Sequence, residues 1–539
     1  MFLSFGDLET MKTELLLGDE AVAQAAIDAG IAGAFSYPGT PSTEIFEYIQ
    51  RVAGSNGQVA AMWSANEKVA YEEALGISYA GKRAIVSMKH VGLNVAADPF
   101  INSALTGVNG GMVLVVADDP GMHSSQNEQD SRYYAEFAKI PAFEPSTQQQ
   151  AYNMMWEAFE LSEQVKLPVM LRLVTRLAHS RADVQAHHRG QYTPEDTAYS
   201  RPNPNDWTLV PGNARVRFRH LLALQPQLRE ISEQSTHNQL KLGSKKGIIA
   251  SGIAYNYTKE ALPTDSDMSL LRIGMYPLPV NLLKQLVDHC DEIFVMEDGY
   301  PYIEERLNGL FGLPGKQVHG KLSGSLPPSG ELTPRLVATA LNSDKGQVSA
   351  ALSDLAPRPP QLCKGCPHID TFNAMVKASA DQGGATMFSD IGCYTLGVMP
   401  PFRAVHSCVD MGASIAMAHG ASLAGAHPII CTIGDSTFAH SGMTGLIGAI
   451  KSNANMTVMI LDNATVAMTG SQETMATGEQ LMALLRGLGV PEEHLHLMDP
   501  HPKKHEENIE LIAKAIQHRG LDVIVSRRPC IQIKRQKPK

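Results

Sequence analysis

Short apolar runs that end in glycine or an acid recur along the chain, and each is followed by a segment with helical spacing. "AGAFSYPGTPSTEIFEYIQ" reads as strand, tight turn and helix. "GKRAIVSMKHVG" and "GGMVLVVADDPG" are β-rich runs closed by glycine, and "TQQQAYNMMWEAFELSEQVKLPVMLRLV" is a helix followed by a strand. Nearly continuous apolar strands alternating with helices predict α/β layering around parallel sheets. The pattern decays over residues 186–244, where "HHRGQYTPEDTAYSRPNPNDW" is polar and Pro-rich before "FRHLLALQPQLREISEQ" restores a helical signal, so a linker with a helix in it is expected. Alternation resumes at "KKGIIASGIAYNYTKEAL", "MSLLRIGMYPLP" and "CDEIFVMEDGYPYIEERL" and weakens again toward a Pro-rich linker at 346–360. A third series contains "ATMFSDIG", "HPIICTIGD", "MTVMILDN" and "LDVIVSRR". The expected architecture is three consecutive parallel-sheet α/β units over residues 12–185, 245–345 and 361–535.

Size agrees with this division, because 539 residues exceed what one ordinary core organises. The composition, 44% hydrophobic and 19% charged, is that of a soluble globular protein. A net charge of −10 speaks against a nucleic-acid binder, which presents a basic face. No apolar run reaches the roughly 18 residues of a membrane span. The start, "MFLSFGDLETMKTELLLGDEA", lacks the basic segment of a secretory signal, and Met11 is a second candidate start. The seven cysteines (290, 363, 366, 393, 408, 431 and 530) are therefore expected to be thiols or ligands rather than disulfides, in a cytoplasmic protein.

The densest chemistry lies in "IICTIGDSTFAHSGMTGLIGAIKSNANMTVMILDNAT". One apolar strand ends at Gly434-Asp435-Ser436 and the next at Asp462-Asn463. Parallel strands of a βαβ unit end on the same sheet edge, so Asp435 and Asn463 converge where open α/β sheets bind ligands. A carboxylate, an amide oxygen and a carbonyl are hard donors suited to Mg²⁺ on a diphosphate. Gly434 would allow close backbone approach, and the following helix would add N–H groups. Each dipeptide alone reads as a turn. Together they resemble the thiamine diphosphate signature, with Ser436 in place of its glycine, Asp-Asn as its closing pair, and Thr465 as the position of a third, backbone ligand. Such a cofactor needs an acid on its aminopyrimidine. Glu67, opening a helix after a strand-like run in "VAAMWSANEKVAYEEALG", is the candidate in the first unit. Alone it would be an ordinary first-turn acid. "QLCKGCPHID" places Cys363-x-x-Cys366 before His368, and by spacing alone a metal site, a redox pair and an inert loop all remain open.

The stretches "YPGTPSTEIFE", "NEKVAYEEALG", "MKHVGLNVAADP", "VVADDPGMHSSQNEQDSR", "CKGCPH", "SDIGCYTLG", "IGDSTFAHSGMTGLIGAI" and "LDNATVAMTGSQ" carry a closer resemblance. The chain resembles the large-subunit family of indolepyruvate ferredoxin oxidoreductases, in the 2-oxoacid:ferredoxin oxidoreductase superfamily, over about residues 15–475, with "SRRPC" extending the match to Cys530. The resemblance implies a pyrimidine-binding domain, a transketolase-C-like domain and a diphosphate domain. It implies oxidative decarboxylation of an arylpyruvate with CoA to an arylacetyl-CoA, CO₂ and reduced ferredoxin. By it Glu67 activates the cofactor, Thr40 contacts the substrate carboxylate, Gly434 and Ser436 lie on the diphosphate, and Asp435, Asn463 and Thr465 hold Mg²⁺. Cys363, Cys366, Cys393 and Cys530 correspond to the four ligands of one [4Fe–4S] cluster. Cys431 reads as a core residue, Cys408 has no assignment, and His368 reads as local structure. His90, His123 and His440 fall in family-like segments near the expected substrate pocket.

The sequence departs from the family in having no C-x-x-C-x-x-C run before Lys539, so a C-terminal ferredoxin domain is not expected here. The implied partners are a small second catalytic subunit and ferredoxin or another acceptor, in a hetero-oligomer built on a dimer. Two rival readings are a non-oxidative thiamine-dependent decarboxylase or carboligase, which the four placed cysteines oppose, and a non-catalytic scaffold subunit, which the intact Glu67, Asp435 and Asn463 oppose.

Overall fold

The computed structural model describes residues 11–187, 204–343, 356 and 359–533. The chain divides into two units, Met1–Ala351 and Leu352–Lys539. In the first, a seven-stranded sheet runs in the order Met275–Tyr276, Ala142–Phe143, Val169–Val174, Met112–Asp118, Ala84–Lys89, Gly33–Ser36, Ala60–Trp63. Every pairing is parallel except that of Met275–Tyr276 on Ala142–Phe143. The strands Ala84–Lys89, Met112–Asp118 and Val169–Val174 are buried at every residue. Helices cover both faces of such strands, which is why they read as unbroken apolar runs. A second sheet of five strands is ordered Gln317–His319, Glu292–Met296, Lys246–Ser251, Ser269–Ile273, Gln239–Lys241, with only the last antiparallel.

The expected first and second units thus keep a sheet each but share one compact body. Two features join them. The Met275–Tyr276 strand, which follows Ser269–Ile273 of the second sheet, adds to the edge of the first. A buried ionic cluster then ties the strand ends together. Arg132 donates to Asp130 and forms an ion pair with Glu297 at 2.9 Å; Arg172 donates to Asp118 at 2.7 Å and to Glu144. Both arginine side chains are 1% exposed. Two guanidinium groups face four carboxylates, and burial pushes Glu297 up to about 7 even though Arg132 pulls it down. Asp118, Asp130 and Arg132 of "VVADDPGMHSSQNEQDSR" are therefore structural. Replacing Arg172 with leucine leaves Asp118 buried without its cation and Glu144 with only the more distant Arg132, at 3.9 Å. We expect a loss of about 3–5 kcal/mol of unfolding free energy, seen as a lower chemical-denaturation midpoint. An unchanged midpoint would show that these carboxylates are protonated in the native state.

Of the region read as a linker, residues 188–203 lie outside the described residues, and Pro211–Gln234 forms one helix. Its Arg217 donates to the carbonyls of Leu105 at 2.9 Å and Thr106 at 2.7 Å, satisfying the last turn of the His90–Thr106 helix. The second expected linker, 346–360, lies outside the described residues except at positions 356, 359 and 360. No helix among the described residues is long and apolar enough to cross a membrane.

The second unit holds a five-stranded parallel sheet in the order Thr386–Ser389, Ile429–Gly434, Met456–Asp462, Leu521–Arg527, Leu495–Met498. The first four coincide with runs read from the sequence. The fifth, "LHLM", was missed because it is short, interrupted by a histidine and, at the sheet edge, only half buried.

Candidate active site

In the second unit the strand Ile429–Gly434 passes directly into helix at Asp435, and Gly434 lies opposite Leu461 of the parallel strand Met456–Asp462. Asp435 and Asn463 therefore leave adjacent strands at the same edge, as the spacing predicts. Asp435 is 2% exposed; it accepts the N–H of Ser436 at 2.9 Å and of Ala464 at 3.1 Å. Burial first, and then the charge of Asp462, push its carboxyl up to about 8. A carboxylate in that position calls for a cation. The Ser436 hydroxyl is buried with no hydrogen-bond partner, so a polar group is available for an acceptor such as a phosphate oxygen.

Asn463 is held from two sides. Its Nδ2 faces His368 Nε2 at 3.3 Å, and its Oδ1 accepts the Thr465 N–H at 3.1 Å. Burial drives the His368 imidazole down to about 4, so it is neutral and accepts the amide proton. Thr465 is 4% exposed, and its hydroxyl donates to the Gln472 carbonyl at 2.9 Å. Between them Ala464 has φ +64°, a left-handed conformation that costs a non-glycine residue about 1 kcal/mol. Such strain is typical of functional turns. Gly434 also packs beside an aromatic ring. A Cβ there would lie 2.9 Å from the Tyr394 ring, so its space is taken by an aromatic side chain. Asp462 is structural, accepting from Gly478 N–H at 2.9 Å and pairing with Arg527 at 3.1 Å. Asp435, Ser436, Asn463 and Thr465 fit a metal–diphosphate site.

Two of the four cysteine segments reach the same loop, through Cys530 and through His368 beyond Cys366. Cys366 caps the Pro367–Asp381 helix, and its N–H bonds the Cys363 carbonyl at 2.9 Å. Cys393 opens a tight helical turn after the sheet's edge strand. The Cys530 N–H donates to the Asn463 carbonyl at 2.9 Å. Burial pushes the thiols of Cys366 and Cys393 up to about 11, and the neighbouring sulfurs (Cys363, Cys393 and Cys530 on Cys366; Cys530 and Cys363 on Cys393) add to the effect. All are free thiols. They are not drawn to single-ion spacing: among the described residues, the groups of His, Cys, Asp or Glu ligand atoms within 4.8 Å of one another contain no cysteine. Sulfurs near enough to raise one another's pKa, but outside single-ion spacing, fit a multi-iron cluster. Cys408 is separate, directed at the Asp390 carbonyl and the Thr395 hydroxyl. Cys431 is fully buried in the core, as expected.

In the first unit Glu67 is the first residue of the Glu67–Tyr79 helix, whose cap Asn66 accepts from Val69 N–H at 2.9 Å. It is 5% exposed and lies against Gly92, where a Cβ would sit 2.6 Å from Glu67 Cγ. The glycine of "KHVG" thus makes room for the carboxylate. Thr40 lies in the loop after Gly33–Ser36, and its carbonyl accepts the Ser124 hydroxyl at 3.2 Å.

Lys89 was missed by sequence reasoning. It ends the buried strand Ala84–Lys89, is 8% exposed, and donates to the Ser124 carbonyl at 3.1 Å. Its stem runs beside Gly39, one residue before Thr40. Burial pushes it down to about 8, while Asp119 and Glu67 pull it upward. The available signal was a lysine closing an otherwise apolar strand. His90 is buried with Nε2 3.2 Å from the Asn127 carbonyl, and His440 Nδ1 bonds the Ser441 hydroxyl. His123 is half exposed and pairs with Glu331.

Two family descriptions match this chain: "Pyruvate flavodoxin/ferredoxin oxidoreductase, thiamine diP-bdg" over residues 24–237, and "Thiamine pyrophosphate enzyme, C-terminal TPP binding domain" over residues 390–526. Indolepyruvate oxidoreductase subunit IorA of Archaeoglobus fulgidus is 38% identical over 96% of this chain and 86% of its own length. The subunit of the same name from Pyrococcus horikoshii is 38% identical over 96% of this chain and 85% of its own. A solved 2-oxoglutarate:ferredoxin oxidoreductase from Magnetococcus marinus shares the fold with a TM-score of 0.50 at 14% identity, covering 62% of this chain and 65% of that one. Relatives aligned along nearly the whole chain, on a thiamine-diphosphate fold, place it in the family of indolepyruvate oxidoreductase alpha subunits, which are 2-oxoacid:ferredoxin oxidoreductases.

Proposed function

We propose that this subunit carries out the thiamine-diphosphate-dependent oxidative decarboxylation of an arylpyruvate of the indolepyruvate type. The arylpyruvate and CoA become an arylacetyl-CoA and CO₂, with one proton released. The electron pair leaves singly through one [4Fe–4S] cluster to ferredoxin or a similar acceptor. The observation that carries the reading is the joint position of Asn463: its carbonyl is bonded to Cys530 and its side chain to His368 of the C-x-x-C-P-H segment. The loop that would hold the metal is thereby the loop that anchors the proposed electron exit.

When bound, thiamine diphosphate supplies the electron sink for loss of CO₂. Asp435, Asn463 and the Thr465 carbonyl would hold Mg²⁺, and Ser436 would donate to the diphosphate. Glu67 would hold and exchange a proton at the aminopyrimidine. Thr40 and Lys89 would face the substrate carboxylate, with Lys89 supplying positive charge. Cys363, Cys366, Cys393 and Cys530 would hold the cluster. A small second subunit is proposed to complete the enzyme.

The test is an anaerobic assay of the chain with its second subunit, alongside iron, sulfide and thiamine analysis. Indolepyruvate with CoA is expected to reduce a viologen dye and yield indoleacetyl-CoA, with about four irons per chain. An aldehyde product without dye reduction would establish the non-oxidative alternative instead.

A further inference from the structure

Asp19 and Glu20 stand side by side in the first turn of the Gly18–Asp28 helix, in contrasting surroundings. Glu20 accepts the Leu17 N–H at 2.9 Å and pairs with Arg181 at 3.1 Å. Asp19 is fully buried, and neither of its carboxylate oxygens has a hydrogen-bond partner. Burial first, and then the charges of Glu44 and Glu20, push its carboxyl well above the usual range. A buried carboxylate with no hydrogen-bond partner and two acids beside it must either keep its proton or take up a cation.

The groups around it favour a cation. Ligand atoms of Asp19, Glu44 and His179 lie within 4.8 Å of one another. Glu44 comes from the Thr43–Ile49 helix, and His179 follows the Thr175–Ala178 turn. His179 Nε2 is 3.4 Å from Glu44 Oε2, close to the spacing of adjacent ligands around one ion whose bonds are about 2.0–2.2 Å. The two side chains are 33% and 36% exposed, so an ion can enter from solvent while Asp19 closes the inner side. The arrangement is rigid: a Cβ on Gly18 would lie 2.2 Å from the Leu177 carbonyl oxygen, so helix start and turn meet backbone to backbone. The hydrogen bond to Glu44 holds the His179 imidazole above its usual range, and the charge of Asp119 adds to it.

We propose that Asp19, Glu44 and His179 form a divalent-cation site of the first transition row, with water completing the coordination. One imidazole and two carboxylates suit Mn²⁺, Fe²⁺, Co²⁺ or Zn²⁺. The site uses none of the residues assigned to the diphosphate or the cluster. A bound ion would neutralise Asp19 and pin three segments together: the first helix, the helix that begins three residues after Thr40, and the turn whose Thr175 holds Asp119 at 2.8 Å. It would thus fix the base of the candidate substrate loop.

The probe is Mn²⁺, titrated into the full-length chain without thiamine diphosphate and followed by the paramagnetic resonance of free ion. Wild type is expected to take up one Mn²⁺ that Asp435→Asn also takes up. Asp19→Asn and Glu44→Gln should bind that ion at least tenfold more weakly. Mn²⁺ should also raise the thermal midpoint of wild type and leave that of Asp19→Asn unmoved. Asp19→Asn removes a buried charge and so serves if Glu44→Gln fails to fold. Uptake by Asp19→Asn equal to wild type, or uptake by wild type that vanishes in Asp435→Asn, overturns the site. No uptake by wild type also overturns it and leaves Asp19 holding a proton.

Discussion

Glu67→Gln should lower indolepyruvate-dependent acceptor reduction by about 10²–10⁴-fold, the range that general acid–base groups contribute. The substitution conserves volume, which matters because Glu67 is wedged against Gly92 with no room for a larger group. It leaves the helix start intact, since Asn66 rather than Glu67 caps the helix. What it removes is the ability to hold and exchange a proton. Cofactor affinity, followed by calorimetry, should change little beside turnover, because the proposed diphosphate and metal contacts come from other residues. The exchange of the cofactor's reactive proton with deuterium should slow in step with turnover. A variant that turns over within about threefold of wild type would show that the activating acid lies elsewhere. Gly92→Ala offers an independent check: its Cβ would displace the Glu67 carboxylate and should reproduce much of the loss with every acid still present.

Cys530→Ala is the second large effect. Acceptor reduction should fall to background, and iron and sulfide should fall with it, while thiamine diphosphate still binds. Alanine keeps the backbone N–H that bonds the Asn463 carbonyl, so the metal loop stays in place and only the sulfur is lost. Cys431→Ala is the matched control. That sulfur is buried in the core among Ile433, Val458 and other apolar side chains, and its loss should cost stability but not iron. Acceptor reduction surviving in Cys530→Ala would break the four-ligand set. Loss of activity with full iron retention would do so as well, since it would place Cys530 in some other role.

These two effects rest on residues that differ in how they could be found. The Gly434-Asp435 and Asp462-Asn463 pairs were legible from spacing because two parallel strands joined by one helix must end on one edge. The structure adds why Asn463 is oriented as it is, through His368, which looked like local structure beside a cysteine pair. The cysteines were legible only through resemblance, since a C-x-x-C with two remote partners has no periodicity to announce it. Lys89 and Asp19 were not legible. A lysine at the end of an apolar strand and an acid in a first helical turn are ordinary in sequence, and only burial makes them unusual.

The sequence by itself determined the alternation of strand and helix, the parallel character of the sheets, and the strand ends that carry Asp435 and Asn463. Each of these follows from side-chain periodicity within a few turns or one βαβ step. Only the tertiary structure decided that the first two sheets form one body, that Asp130 and Arg132 of "NEQDSR" lock it together with Arg172, that "LHLM" completes the last sheet, and that Asp19 meets Glu44 and His179. Those outcomes depend on charges and edges brought together from distant parts of the chain. Their energies come from desolvation, which is set by what surrounds a residue and not by its immediate neighbours in sequence.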